Sequence, residues 1–215
     1  MFIDAEVDAV LLDMDGTLLD LHYDNHFWLH FIPEQYATKH QLSLQQAKLY
    51  VYAQYEKVTG SLSWYCYDYW SVTLGLDIHT LQHKTKHKIQ LRGDTLWFLD
   101  KLKELNIPAF ILTNAHRSGV QLKMQKSELT PYFKKIISSH DYQAAKEEIS
   151  FWSAVEKELA VDFSRCLFID DNEKILKIAE QAGIGFICGI ATPDSKKPAQ
   201  QMQAFQAIKQ FSELF

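Results

Sequence analysis

The sequence predicts an α/β chain: a parallel sheet of five strands, or slightly more, flanked by helices and interrupted once by an α-helical insert. Three observations predict it. Short apolar runs at residues 10–12, 109–112, 135–138, 166–169 and 185–188 have the length of strands buried on both faces of a sheet. From the second run onward, stretches of helical period separate them, which calls for parallel pairing through right-handed crossovers. Between the first run and the second, by contrast, no convincing buried strand occurs over about seventy residues, and aromatic side chains are dense.

In order, residues 10–12 form the first strand, which ends in Asp13-Met14-Asp15-Gly16-Thr17. Residues 21–90 are expected to be an α-helical cap, and residues 1–20 with 91–215 the catalytic core. In the insert, Phe27 and Phe31, then Leu44, Ala47, Val51 and Tyr55, recur at helical spacing, and Ser43 is placed to cap the second helix. Gly60-Ser61 and Gly75 punctuate the segment. Simple packing accounts for most of its aromatics, while some are expected to line a pocket for a flat substrate, since rings stack on nucleobases. Residues 94–105 predict a helix with Leu96, Leu99 and Leu102 inward. Helices are also predicted over 118–129, 150–159 and 173–182. Residues 204–215 predict a closing amphipathic helix with Phe205, Ile208 and Phe211 on one face.

In a parallel sheet the strand ends share one edge, where ligands of open α/β sheets bind. Asp13, Asp15, Thr113, Asn114, Asp170 and Asp171 should therefore converge, although they lie far apart in sequence. Two carboxylates one residue apart repel each other unless a cation lies between them. Oxygen donors without His or Cys suit Mg²⁺. A calcium loop fails on spacing: counted from Asp13, Gly16 is fourth and position twelve is Asp24, where Gly at six and Glu at twelve are needed. A plain turn is the remaining bland reading, and it weakens as complementary strand ends accumulate.

The expected roles follow. Asp13 is the nucleophile, and Asp15 the general acid and then the general base. Asp13, Asp170 and a backbone carbonyl at Asp15 hold Mg²⁺. Asp171 ligates through water, orients a neighbour, or caps the next helix. Thr113 and the amide of Asn114 bind phosphate, and Lys146 neutralises charge that grows on it. Asn25, Trp28 and Tyr65 are the cap positions suited to reading and stacking a base. Two histidine series, His22, His26, His30 and His79, His83, His87, have i, i+4 spacing but no third ligand in pattern, and are read as surface or packing groups. His116, just after Asn114, is a candidate for lining the site.

Bulk properties narrow the class. The 215 residues carry a net charge of −5 and 47% hydrophobic residues, ample for a core. No long basic run occurs, so nucleic-acid polymers and anionic membranes are not expected as partners; the strand-end residues make a small phosphomonoester the expected one. Residues 1–6 have neither a basic region nor a long apolar run, unlike a signal peptide. Three widely spaced cysteines, Cys66, Cys166 and Cys188, read as free buried thiols of a reducing compartment, not as disulfides or a zinc site. A cytoplasmic location is expected.

With these residues in place the chain resembles the haloacid dehalogenase superfamily of phosphatases. Asp13-x-Asp15-Gly16-Thr17 is similar to its first motif, Thr113-Asn114 to its second, Lys146 to its third and Asp170-Asp171 to its fourth. The resemblance implies a Rossmann-like core with strand order 3-2-1-4-5, Mg²⁺ dependence and an aspartyl-phosphate intermediate. In one respect the chain departs from the pattern: Ala145-Lys146-Glu147 lacks the Pro that commonly adjoins the third-motif Lys. Four tracts, residues 24–28, 64–70, 112–116 and 167–172, resemble bacterial GMP/IMP nucleotidases in particular. This implies a 5′-nucleotidase of purine monophosphates. A phosphatase of small sugar phosphates and a non-catalytic phosphate-binding module are the alternatives. A dehalogenase is disfavoured, because Asp15 supplies a proton-transfer group that dehalogenation does not require.

Overall fold

The computed structural model describes Ile3 and residues 7–215; apart from Ile3, the expectation for residues 1–6 lies outside them. One sheet holds β1 (Ala9–Leu12), β2 (Ala109–Thr113), β3 (Phe133–Ser138), β4 (Cys166–Asp170), β5 (Phe186–Ile190) and β6 (Ala207–Ile208). Their order is β3-β2-β1-β4-β5-β6, and every pairing is parallel. Leu11 of the central β1 lies opposite Phe110 on one side and Phe168 on the other. All four β1 residues are buried, which is why the run is wholly apolar. Alternation sends Val10 and Leu12 to one face of the sheet and Ala9 and Leu11 to the other, giving two separate cores.

Between β1 and β2 the chain is helical. α1 (His22–His26) runs through a π-helical turn, Phe27–Phe31, into α2 (Ile32–His40). α3 (Leu44–Val58), α4 (Tyr67–Leu74) and α5 (Ile78–Thr85) follow. Ser43 caps α3 in a capping box with Gln46. Leu44 itself is exposed, so the buried stripe of α3 starts at Ala47 and continues through Val51 and Tyr55. These residues join Phe27, Ile32, Tyr36, Tyr67 and Trp70 in a third core of their own. The two ends of the segment are tied side by side. Leu19 and Leu91 form an antiparallel bridge, the Asp20 amide donates to the Gln90 carbonyl at 2.9 Å, and the Arg92 amide donates to Leu18 at 3.0 Å.

α6 (Thr95–Glu104) and α7 (Arg117–Ser127) cover the Val10 face; α8 (Ile149–Leu159) and α9 (Glu173–Gln181) cover the Leu11 face. In α6 the inward positions are Thr95, Phe98, Leu99 and Leu102. Leu96, expected inward, is exposed instead, because Thr95 takes the buried place and donates its hydroxyl to the Leu18 carbonyl at 2.8 Å.

Residues 204–215 depart from the closing helix that their spacing predicts. β6 adds a sixth strand beside β5, and a 3₁₀ turn, Phe211–Leu214, follows. Apolar residues at every third position suit an edge strand plus a 3₁₀ turn as well as a helix. Ile208 pairs with Ile190, and Phe211 stacks on Phe98 with ring centroids 4.2 Å apart. The Glu213 carboxylate accepts the amides of Lys209 and Gln210, both at 2.8 Å, and so takes donors a helix would use. No helix among the described residues is long and apolar enough to cross a membrane.

Candidate active site

The strand ends converge at one edge. β1 ends at Asp13, whose amide donates to Ile169 of β4 at 2.9 Å, so the carboxyl ends of β1 and β4 lie together. Lys146, on the loop before α8, is 1% exposed and inserts its ammonium between them, 2.5 Å from Asp13 Oδ1 and 2.7 Å from Asp170 Oδ2. The Trp152 indole holds the loop by donating to the Lys146 carbonyl at 2.8 Å. Asp170 Oδ1 accepts the Asn172 amide at 2.8 Å, and Asn172 caps α9. The cap position is therefore filled, which removes that alternative for Asp171. Asp171 instead lies against Gly16. At φ +92, with the place of a Cβ only 2.6 Å from Asp171 Oδ2, position 16 admits only glycine without strain.

Thr113 and Asn114 close the site from β2. The Thr113 hydroxyl accepts the Ala115 amide at 3.1 Å, which leaves its proton free to donate. Asn114 Oδ1 accepts the Lys146 amide at 2.8 Å, and Asn114 Nδ2 donates to Glu147 at 2.8 Å. Glu147 also accepts the Tyr65 hydroxyl at 2.7 Å, so it links the third-strand side of the site to the helical segment. Its position beside Lys146 was the available signal, and sequence reasoning missed it.

Lys123 is the larger omission. It is buried on α7, with its ammonium 2.7 Å from Asp15 Oδ2 and 2.7 Å from Asp24 Oδ1. A signal existed, since Lys123 falls on the buried face that Val120 and Met124 mark. Asp15 thus shares Lys123 with Asp24, and its Oδ1 is buried without a hydrogen-bond partner.

A cavity of about 320 Å³ opens over these groups, within the range of small-molecule sites. Asn25, Trp28 and Tyr65 all line it, with Tyr67 and Trp70. Asn25 is not free, because its amide donates to Asp194 at 2.7 Å. His116 does not line it; it caps α7 and stacks on Tyr67 at 5.1 Å. Of the two histidine series, His22 lies 3.6 Å from Asp194, His79 pairs with Asp68, and the rings of His26 and His30 stack at 6.2 Å. None of the six belongs to a cluster of three ligating side chains among the described residues. Cys166 and Cys188 are free and buried, but Cys66 is only half-buried, since it heads α4 beside the cavity wall.

Five carboxylates, Asp13, Asp15, Asp24, Asp170 and Asp171, face two ammonium groups around the cavity. The excess of negative charge shows in their proton affinities. Burial, with Asp170 and Asp15 nearby, pushes Asp13 up to about 7 despite Lys146. Burial and Asp15 raise Asp24 to about 7, and burial and Asp170 raise Asp171 well above the usual carboxylate range. Burial alone would lower Lys146, but Asp13 and Asp170 outweigh it and hold the lysine charged. Oxygens of Asp13, Asp170 and Asp171 lie within 4.8 Å of one another. An oxygen-only set with surplus charge fits a hard divalent cation. The Asp15 carboxylate, taken by Lys123, leaves only its backbone carbonyl for such an ion.

A model of the haloacid dehalogenase-like hydrolases matches residues 7–183. The GMP/IMP nucleotidase YrfG of Escherichia coli is 39% identical over 209 residues, which span 97% of this chain and 94% of that protein. Among solved structures, a HAD phosphatase from Thermococcus onnurineus superposes with a TM-score of 0.81 at 22% identity, covering 97% of this chain and 96% of that one. The HAD hydrolase YfnB of Bacillus subtilis, solved bound to magnesium, gives 0.63 at 20% identity over the same shares. At those identities the likeness of the two structures is one of fold.

Proposed function

The chain belongs to the haloacid dehalogenase-like hydrolase family, and from that premise we propose that it is a Mg²⁺-dependent phosphomonoesterase preferring purine nucleoside 5′-monophosphates. The observation that carries the reading is the pairing of two differently held aspartates: Asp13 against Lys146 and Asp170, and Asp15 against Lys123. Asp13, Asp170 and Asp171, with the Asp15 carbonyl, would hold Mg²⁺, which supplies positive charge to the phosphoryl oxygens.

A carboxylate oxygen of Asp13 attacks phosphorus, and the bond from phosphorus to the ester oxygen breaks. Asp15 gives its proton to that leaving oxygen. Water then attacks the aspartyl phosphate as Asp15 takes one of its protons, which restores Asp13 and releases inorganic phosphate. Lys146 and the Thr113 hydroxyl meet the charge that builds on the phosphoryl oxygens. Lys123 holds Asp15 in place.

Support for a nucleotide comes from the 39% identity to a GMP/IMP nucleotidase and from the aromatic wall of Trp28, Tyr65, Tyr67 and Trp70. The test is phosphate release from a panel of nucleoside monophosphates and sugar phosphates, with Mg²⁺, with EDTA, and with Asp13→Asn. Release favouring GMP and IMP, lost with EDTA and lowered at least ~10⁴-fold in Asp13→Asn, is expected. Release from sugar phosphates alone would overturn the substrate, and no release from any ester would overturn the enzyme reading.

A further inference from the structure

We propose that Cys66, His116 and His140 form a second cation site, for a borderline transition ion such as Zn²⁺, that fastens the helical segment to the sheet core. One ligating atom from each of the three lies within 4.8 Å of the others. They come from separate parts of the chain. Cys66 heads α4 in the segment, His116 heads α7, and His140 sits in the 3₁₀ turn Ser139–Asp141 after β3. A thiolate with two imidazoles suits Zn²⁺ and not Mg²⁺, so the site is chemically distinct from the carboxylates at the strand ends. The expectation of a plain buried thiol at Cys66 is replaced by this one.

One nitrogen points to a ligand independently. His140 Nε2 is buried and has no hydrogen-bond partner, which a folded protein rarely tolerates. His116 sits at the start of a polar chain. Its Nδ1 is 2.9 Å from Ser118 Oγ, Ser118 Oγ is 3.0 Å from His79 Nδ1, and His79 Nε2 is 2.8 Å from Asp68 Oδ1. The Ser118 amide donates to His116 Nδ1 at 3.3 Å, so the neutral ring carries its proton on Nε2, while Ser118 Oγ donates to His79 Nδ1 and His79 Nε2 donates to Asp68. His116 Nε2 then faces Asp68 Oδ2 at 3.4 Å with its proton between them, and an ion taken up by the ring displaces a proton to solvent. Asp68 is largely exposed, so the site opens to solvent and has an oxygen at hand for a fourth ligand. Binding releases the Cys66 thiol proton to water. Because Tyr65 and Tyr67 flank Cys66 and both line the cavity, the ion would fix that wall against the core.

The test is a titration of the metal-free full-length protein with Co²⁺, in reducing buffer with excess Mg²⁺, followed by absorption. One equivalent should give a thiolate-to-cobalt charge-transfer band with the strong ligand-field bands of four-coordination. Zn²⁺ should abolish it by displacement, and Asp13→Asn should retain it. Cys66→Ser should lose it, and His140→Ala should weaken Co²⁺ binding by at least ~10-fold. No thiolate band in the wild type, or a band unchanged in Cys66→Ser, overturns the proposal. If either variant fails to fold, the wild type decides alone. Zn²⁺ should slow modification of the half-buried Cys66 by a thiol reagent and raise the thermal midpoint. Modification at the same rate with and without Zn²⁺ overturns the site.

Discussion

The sheet edge and the helical segment meet at one cavity, yet different forces hold them. At the edge, charge governs: buried lysines sit within 2.5 to 2.7 Å of the carboxylates they balance. In the segment, aromatic packing governs: Trp28, Tyr55, Trp64, Tyr67 and Trp70 hold one another with ring centroids 4.9 to 6.3 Å apart. Backbone direction aims the first set, since parallel strands must deliver their ends to one side. Side-chain shape alone aims the second. The two regions are joined by polar contacts that include Lys123 to Asp24, Tyr65 to Glu147 and Asn25 to Asp194. Chemistry that rests on topology resists substitution elsewhere; recognition that rests on packing does not.

Lys123→Met should break the comparison most severely, because this one lysine serves both regions. Removing it leaves two carboxylates without their buried counter-charge, at a cost of ~3–5 kcal/mol in stability. It should also lower kcat by ~10²–10⁴-fold as Asp15 loses its anchor. Adding Asp24→Asn should recover much of the stability, read by chemical denaturation, and little of kcat. A kcat near wild type in the single variant would detach Lys123 from the chemistry. Gly16→Ala comes next, because a methyl group there strikes Asp171 and must adopt φ +92. Mg²⁺ affinity, measured by calorimetry, should fall ~10–100-fold, with KM for the nucleotide little changed beyond what lost metal explains.

Trp28→Ala probes the packed side. Stacking on a base is worth ~1–3 kcal/mol, so KM for nucleotides should rise on the order of tenfold. KM for para-nitrophenyl phosphate should rise less, and equal rises would remove Trp28 from base recognition. Trp152→Phe should have the smallest effect. It removes one hydrogen bond to the Lys146 carbonyl, costing ~1–3 kcal/mol in stability, with kcat reduced only slightly.

The same contrast explains what the sequence made readable. Asp13, Asp170 and Thr113 end apolar runs of strand length, so their meeting follows from sheet topology before any coordinates. Lys123 and Glu147 have no such marker, since they depend on how α7 and the loop before α8 dock. The closing segment misled for a local reason: Ile208 and Phe211 at a spacing of three satisfy a helix, an edge strand and a 3₁₀ turn alike. Leu96 misled similarly, because a buried Thr95 with a bonded hydroxyl outranked it. Trp28 and Tyr65 were legible as aromatics near the site, but Asn25 was already committed to Asp194, a partner 169 residues away.

The π-helical turn at Phe27–Phe31 gives this segment an unusual evolutionary lever. Such a turn holds one residue more than an α-helix needs, and it separates Asp24 and Asn25, which face the cavity, from Ile32 and Tyr36, which enter the aromatic core. Losing one codon within it would convert the turn to plain α-helix and rotate one side against the other by ~100°. The wall presented to substrate would then change all at once, with every catalytic codon untouched. In this chain, insertions and deletions are as direct a route to altered selectivity as substitutions.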